Sequence, residues 1–373
     1  MLVVHIITCL DVGGAEMMLK RLLIARATSS PKERVISLTT LGPIGAELRN
    51  AGIEVDCLEL DKSVFGVIRR FFQLVKLLNQ LQPDVVQTWM YHADLFGGLA
   101  AKLAGCRQIM WGIRGTYTPI GRPATHKIMQ LCALLSGSIP SKIVCVAEAA
   151  RKSHITYGYR ADKLLVIPNG LDFHGFQSAS ARELLREQWL FNDKNMILGS
   201  VGRFHPDKGQ DLLIEAFASL AAEFPLLCLV LVGRDCEASN QQLGSQIAKL
   251  QLTGRVLLLG ERSDISACLG AFDLYCMPSR TEGFPNGLAE AMAVGLAAVA
   301  TKAGDAEVLG ADTVLYATPD VNALAVALRD LLTMDAGSRQ QLGANAAMRV
   351  KELFSIQAVR QRYDRLYQSV LES

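Results

Sequence analysis

The residues best equipped for chemistry lie in one stretch, Pro278-Ser279-Arg280-Thr281-Glu282-Gly283-Phe284-Pro285-Asn286-Gly287-Leu288-Ala289-Glu290. A strand pattern at 272–277 precedes it and a helix is expected from Pro285 onward. Glu282 therefore falls in the loop and Glu290 on the helix, where two carboxylates can edge one ligand. Carboxylates accept hydrogen bonds from paired hydroxyls, which is how a site grips a sugar or a ribose. Glu290 stands in an otherwise apolar run, Leu288 to Val294, and a charge there is costly unless it is paired or bound. An internal ion pair with Arg or Lys is the structural alternative to a ligand.

A second loop, Gly202-Arg203-Phe204-His205-Pro206-Asp207-Lys208-Gly209, also follows a strand (196–201) and precedes a helix. A guanidinium and an ammonium converging at a sheet edge suit a diphosphate. Taken singly, each cation is as readily a solvated loop side chain. The third loop is Thr8 to Glu16, with Gly13-Gly14 at the start of a helix. Paired glycines let a ligand approach the backbone, and a helix N-terminus favours negative charge. A plain tight turn explains them equally well. The pattern is not Gly-x-Gly-x-x-Gly, so the dinucleotide fingerprint of a dehydrogenase is missing here.

These loops need sheets to hold them. Strand patterns at 2–8, 34–39, 53–59, 84–88, 108–113, 142–146 and 163–167 alternate with helical patterns such as 64–81 and 93–104. A second series of strands runs over 196–201, 226–232, 255–259, 272–277, 297–301 and 313–316. Such alternation implies parallel sheets covered by helices. The polar stretch 173–195 is taken as a linker. The chain of 373 residues suits an N-terminal Rossmann-like domain over 1–175 and a C-terminal Rossmann-like domain over 195–354. An amphipathic helix over 355–373 ends the chain. Two open α/β sheets carry their ligand loops at strand C-terminal edges, here expected to face a central cleft.

Composition narrows the class. A formal charge of +2 argues against nucleic acid as a partner. Nine cysteines, most in apolar runs and none in a Cys-x-x-Cys pair, read as reduced thiols of a cytoplasmic protein. The short apolar start reads as a strand rather than a signal peptide, and no stretch reaches the roughly 18 apolar residues of a membrane span. Neither an Asp-x-Asp cluster nor a His/Cys ligand set suggests a metal. Residues 62–81 combine Val64, Phe65, Ile68, Phe71 and Phe72 with Arg69, Arg70 and Lys76. That pattern fits either the sheet-facing stripe of a Rossmann helix or a basic amphipathic surface for the inner face of a membrane.

Together, the Gly202-Arg203…Lys208-Gly209 loop and the Glu282-to-Glu290 pattern resemble the group 1, family 4 retaining glycosyltransferases of GT-B fold. Gly13-Gly14-Ala15-Glu16 resembles that family's N-terminal glycine loop. Ile167-Pro168-Asn169-Gly170-Leu171-Asp172 resembles the segment closing its first domain, and Ala300 to Glu307 the loop after its acidic helix. The final helix resembles the one that returns to the first domain. The similarity implies a transferase moving a hexosyl or N-acetylhexosaminyl group from a nucleotide-diphosphate sugar, a UDP-sugar rather than a GDP-sugar, to a glycan or lipid-linked acceptor of cell-surface polysaccharide synthesis. No metal is required in such a reaction. It implies that Arg203 and Lys208 hold the diphosphate, that Glu290 accepts from the ribose, and that Glu282 contacts the donor sugar. It also implies donor contacts at Gly14, Gly202, Gly283, Phe284, Asn286, Gly287 and Leu288, with amides of Phe284, Asn286 and Gly287 as donors. Many relatives have a histidine where this chain has Arg114; His92, after the preceding strand, is the other candidate for a catalytic role in that cleft, and the sequence leaves the choice open. A nucleotide-sugar epimerase or hydrolase, and a non-catalytic nucleotide-sugar-binding protein, are the rival readings of the same architecture.

Overall fold

A computed structural model describes residues 1–26, 30–61, 63–116, 123–173 and 179–372. The chain divides into two compact units, Met1–Asp172 with the tail from Phe354 onward, and Phe173–Leu353.

The first unit is built on β1 (Leu2–Ile7), β2 (Lys32–Ser37), β3 (Glu54–Cys57), β4 (Val85–Trp89), β5 (Gln108–Ile113), β6 (Lys142–Cys145) and β7 (Leu164–Val166). They form one parallel sheet in the order β3-β2-β1-β4-β5-β6-β7. The helices are α1 (Gly14–Ile24), α2 (Gly42–Asn50), α3 (Val64–Leu81), α4 (Tyr91–Leu103), α5 (Pro123–Leu135) and α6 (Glu148–Thr156). The strands are apolar on both faces because helices cover both sides of a parallel sheet; every residue of β4 is buried. Helix α2 begins Gly42-Pro43 and falls in a stretch with no clear helical period, so the sequence pattern passes over it.

The second unit repeats the plan. It holds α7 (Ala179–Gln188), β8 (Met196–Val201), α8 (Gln210–Leu220), β9 (Leu227–Val232), α9 (Gln241–Lys249), β10 (Val256–Leu258) and α10 (Ile265–Ala271). Then come β11 (Leu274–Met277), α11 (Asn286–Ala293), β12 (Ala297–Thr301), α12 (Ala306–Gly310), β13 (Leu315–Ala317), α13 (Val321–Thr333) and α14 (Ala336–Phe354). The sheet order is β10-β9-β8-β11-β12-β13, parallel throughout. Each sheet therefore reverses its order once, between β1 and β4 and between β8 and β11, the place where open α/β sheets bind ligands.

The stretch expected to be a linker is part helix. Within 173–195, α7 packs against α10, and its Arg182 and Arg186 reach Asp273 at 2.5 and 3.1 Å. Arg186 is 6% exposed. Polar composition hid this helix because Leu185 and, just after it, Trp189 are its few buried apolar residues, and Arg182 and Arg186 make the rest of the anchorage. The second unit accordingly begins at Phe173 rather than near residue 195.

Helix α15 (Ile356–Leu371) returns to the first unit. Its Ser355 cap accepts from the Ala358 amide at 3.2 Å, satisfying a first-turn donor. Val359, Tyr363, Tyr367 and Val370 enter the core beside Val3, Leu19 and Trp89. Arg360 seals the contact, donating to both oxygens of Glu33 at 2.8 and 2.9 Å, with both side chains buried.

Candidate functional site

In the second unit the two chemically equipped loops leave adjacent strands. Strand β8 pairs with β11 through Leu198 opposite Leu274 and Gly199 opposite Tyr275, so the loops 202–209 and 278–285 rise side by side from one sheet edge. They are joined by a salt bridge: Lys208 Nζ lies 2.6 Å from Glu282 Oε1. Glu282 is only 10% exposed, and the Ser279 hydroxyl donates to the same oxygen at 2.7 Å. A carboxylate with two donors on one oxygen is fixed in direction, and it holds the ammonium in place in turn.

The backbone supporting this pair is tightly specified. Gly209, at φ +67°, packs so closely on Pro278 that a Cβ would come within 2.1 Å of its carbonyl oxygen. Amides of Arg280 and Thr281 donate to the Asp207 carbonyl at 2.7 and 3.3 Å, and the Arg280 guanidinium clasps Asp211 at 2.5 and 2.8 Å. Gln210 bonds the carbonyls of Gly202 and Arg203 at 3.1 and 2.9 Å, fixing the start of the first loop. On the other side Gly304, at φ +57°, lies against the carbonyls of Glu282 and Gly283; a Cβ there would stand 2.5 Å from each. The two loops and the turn after β12 thus form one rigid edge.

Arg203 is exposed, and among the described residues its guanidinium has no hydrogen-bond or ion-pair partner. Its charge is available to an anion. Glu290 lies on α11 behind the loop, part-buried. The charges of Glu290 and Glu282, added to complete burial, push the Tyr275 phenol well above its usual pKa. Gly287 and Leu288 belong to the first turn of α11, whose amides have no carbonyl within the helix to bond. Leu288 is fully buried, so only its backbone can serve a ligand. One expected donor is committed elsewhere: the Asn286 amide bonds the Phe284 carbonyl at 3.0 Å. Gly283 gives its carbonyl to the Asp305 amide at 3.0 Å.

Several supporting residues escaped the sequence reading. Ser279 was visible in the motif but its spacing gave no sign that it orients Glu282. Tyr275 and Thr301 look like ordinary strand residues, yet Thr301 bonds the Ser279 carbonyl at 2.5 Å.

In the first unit, Gly13 and Gly14 open α1 directly after β1. A Cβ at Gly14 would meet nothing within 4 Å, so its backbone is accessible to a ligand. Arg114, after β5, is engaged by its own unit. It lies over the Trp89 ring at 5.2 Å, donates to the Tyr363 hydroxyl at 3.4 Å and bonds the Asn169 side-chain oxygen. It ties the returning helix α15 and the segment 167–172 to the sheet edge. Strand-end arginines amid apolar residues need a partner, and here the partners are structural.

His92 stands in the first turn of α4, exposed, with partial desolvation holding its pKa below the ordinary value. It borders an apolar cavity of about 540 Å³ between α3 and α4. Beneath it, Asp94 is completely buried; it accepts from the Thr88 hydroxyl at 2.5 Å and the Gly112 amide at 3.2 Å. Burial raises its pKa to about 8.

The stripe on α3 is divided. Leu74, Val75 and Leu78 are buried against the unit, whereas Val64, Phe65, Ile68 and Phe72 are exposed, Phe65 by 78%. Only the C-terminal half of the helix faces the sheet. Among the described residues no helix is long and apolar enough to cross a membrane, and no cluster of His, Cys, Asp or Glu is placed to hold a metal.

Residues 12–174 match the Glycosyltransferase Family 4 and residues 181–349 the Glycosyl transferases group 1. An Escherichia coli UDP-Gal:alpha-D-GlcNAc-diphosphoundecaprenol alpha-1,3-galactosyltransferase is 28% identical over 239 residues, 63% of this chain and 62% of that protein, so the chain spans less than two thirds of its length. The N,N'-diacetylbacillosaminyl-diphospho-undecaprenol alpha-1,3-N-acetylgalactosaminyltransferase of Campylobacter jejuni is 27% identical over 378 residues, covering 97% of this chain and 98% of that one. Among solved structures, HepE of Anabaena in complex with UDP superposes with a TM-score of 0.86 at 24% identity, covering 99% of this chain and 100% of that chain; at that identity the likeness establishes the fold. Two parallel Rossmann-like sheets, a C-terminal helix returned to the first of them, and these matches along nearly the whole length make the chain a GT-B-fold glycosyltransferase related to the group 1 and family 4 enzymes.

Proposed function

We propose that the enzyme is a retaining transferase that moves a hexosyl or N-acetylhexosaminyl group from a UDP-sugar to a polyprenyl-diphosphate-linked glycan at the inner face of a membrane. The observation that carries this reading is the Lys208–Glu282 pair, held at 2.6 Å on loops from the two adjacent strands where the second sheet reverses order.

The donor diphosphate takes its countercharge from Lys208 and Arg203 and amide hydrogen bonds from the first turn of α11. Glu290 accepts from the ribose hydroxyls. Glu282, oriented by Ser279 and Lys208, accepts from a hydroxyl of the donor sugar. Expelling UDP puts positive charge on the anomeric carbon and negative charge on the leaving phosphate. Cations already in place lower that barrier because they need not reorganise. The acceptor hydroxyl attacks the face from which UDP departs: the new C–O bond forms as the old one breaks, and the leaving phosphate takes the acceptor proton. Configuration is kept without a protein nucleophile.

In the first unit, Gly14 leaves backbone room for a phosphate at the α1 N-terminus, and His92 belongs to the acceptor side. The UDP and polyprenyl assignments draw support from the relatives' substrates and from UDP and UDP-glucose bound in HepE. The exposed apolar half of α3, with Arg69 and Arg70, supports work at a lipid surface. Nine free cysteines suit a reducing compartment.

The test is incubation with UDP-glucose, UDP-galactose and their N-acetylated counterparts against a polyprenyl-diphospho-N-acetylglucosamine acceptor, with the product anomer read by NMR. An α-linked product is expected. A β-linked product removes the retaining assignment, and equal consumption of donor without acceptor returns the enzyme to an epimerase or hydrolase.

A further inference from the structure

The cavity beside His92 is lined by none of Arg203, Lys208, Glu282 or Glu290, and its walls say what it takes. Val67, Ile68, Phe71 and Phe72 of α3 face Leu95, Phe96 and Leu99 of α4 across about 540 Å³, within the range of roughly 300–1,000 Å³ of small-molecule sites. Phe71 meets Phe96 edge-to-face at 5.4 Å and Phe72 at 5.7 Å, which stiffens the wall. Ile68, Phe72 and Leu99 are part-exposed, 51, 58 and 38%, so the cavity opens to the surface between the helices. Its polar groups lie at one end: Thr8 and Thr39, which follow β1 and β2, and His92, which follows β4. The Thr8 hydroxyl is buried and has no hydrogen-bond partner among the described residues. The site therefore has an apolar body and a polar end at the strand edge, where such sheets bind ligands.

Beside the opening, α3 carries Arg69 and Arg70 next to the exposed Ile68 and Phe72, and Asp61 is the acid that faces these two arginines. An amphiphile with a hydrocarbon tail and an anionic head matches an apolar body with cations beside its opening; a sugar does not.

We infer that the α3–α4 cavity is a binding site for the isoprenoid chain of the acceptor lipid, with the head group at the Thr8–His92 end. The inference rests on the polyprenyl-acceptor reading above and deepens it: recognition of the acceptor includes its tail, not only its sugar. Each buried methylene adds to binding, so affinity must grow with chain length until the cavity is full, and filling the cavity must abolish that growth.

Binding of geranyl, farnesyl and geranylgeranyl diphosphate to the whole chain, each below its micelle concentration, is measured by calorimetry, with myristate as the straight-chain comparison. Affinity is expected to rise by roughly fourfold for each methylene that enters the cavity, and so by well over tenfold from the shortest to the longest isoprenoid. Ile68→Trp and Leu99→Trp, which fill the cavity from opposite walls at part-exposed positions, should each flatten that rise, so one suffices if the other fails to fold. An unchanged chain-length series in a folded variant overturns the site. So does myristate binding as tightly as the longest isoprenoid with the same sensitivity to the variants, since the cavity would then serve bulk lipid. Binding needs no sugar transfer, so the two readings fail separately. A chain-length effect in an enzyme that glycosylates no polyprenyl acceptor removes the acceptor assignment alone. Equal transfer to short- and long-chain acceptors by wild type and both variants removes the cavity assignment alone.

Discussion

In the proposed reaction Lys208 and Glu282 form a charged pair that serves as machinery. Lys208 is 31% exposed beside a nearly buried Glu282, 10% exposed, so solvent still reaches the ammonium and the pair is a modest brace. Its value is that a phosphate arriving at the loop meets an ammonium already oriented. Lys208→Ala and Arg203→Ala should each reduce turnover by on the order of 10²–10³-fold, the usual cost of losing one preorganised charge at a leaving group, while circular dichroism and melting temperature stay near wild type. A turnover within a few-fold of normal would remove that residue from the leaving-group role. Asp94 behaves differently. Its folded pKa of about 8 stands far above the ordinary carboxylate value, so the folded state holds a proton that the unfolded state releases. Its contribution is fully present below the unfolded pKa and is lost as pH rises through about 8. Asp94→Asn keeps an oxygen for Thr88 and Gly112 but cannot ionise. Urea unfolding from pH 5 to 9 should therefore show a flatter stability curve for the variant, with its largest gain over wild type at the alkaline end.

At the scale of elements, the first unit depends on a helix far from it in sequence. Arg114 and Tyr363 meet although 249 residues apart, and Arg360 reaches Glu33 across 327. The Arg360–Glu33 pair is buried on both sides, 3 and 0% exposed, and His5 lies 3.3 Å from the same carboxylate. Arg360→Ala strands Glu33 in the core, and breaking such a pair costs roughly 3–5 kcal/mol. Urea denaturation should register that loss, and hydrogen exchange should show α15 losing protection before the central strands do. Helix α3 shows the opposite economy. Its first half keeps Val64 and Phe65 in solvent at 78% exposure each, apolar area that the proposed lipid surface would cover.

The whole molecule carries a net charge of only +2, yet α3 carries Arg69, Arg70 and Lys76 and no acid. Each Lys or Arg near an anionic bilayer contributes about 1 kcal/mol. Vesicles rich in anionic lipid should therefore sediment the protein in low salt and release it in high salt, and Arg69→Glu with Arg70→Glu should weaken the association by about tenfold or more. Equal sedimentation by neutral vesicles would detach the cations from the effect. Nucleotide binding is also read on the entire chain. UDP at a hundred times its Kd should stabilise the protein by about 2.7 kcal/mol, raising the melting temperature. Glu290→Ala should shrink that shift at the same UDP concentration by weakening the complex roughly 1.5–3 kcal/mol, the worth of hydrogen bonds to a charged group. An undiminished shift would make Glu290 a structural carboxylate.

The primary sequence by itself determined the alternation of strands and helices, and with it the two parallel sheets. Hydrophobic period and strand-end loops are local properties, and they also placed Arg203, Lys208 and Glu282 on strand-end loops and Glu290 on the helix that follows. What touches what was decided only by the tertiary structure. The Ser279 hydroxyl orients Glu282 because Lys208 arrives from a loop 74 positions away. That Trp89, Asn169 and Tyr363 converge on Arg114 could not be read from its strand-end position. Helix α7 stayed hidden in a polar stretch because Arg182 and Arg186, which find Asp273, do much of its anchoring and the few buried apolar residues, Leu185 and Trp189, make no readable period. The same limit applied to α3, whose single stripe held a core face and an exposed face: periodicity reports which residues share a side of a helix, and only packing decides how far along that side the protein covers them.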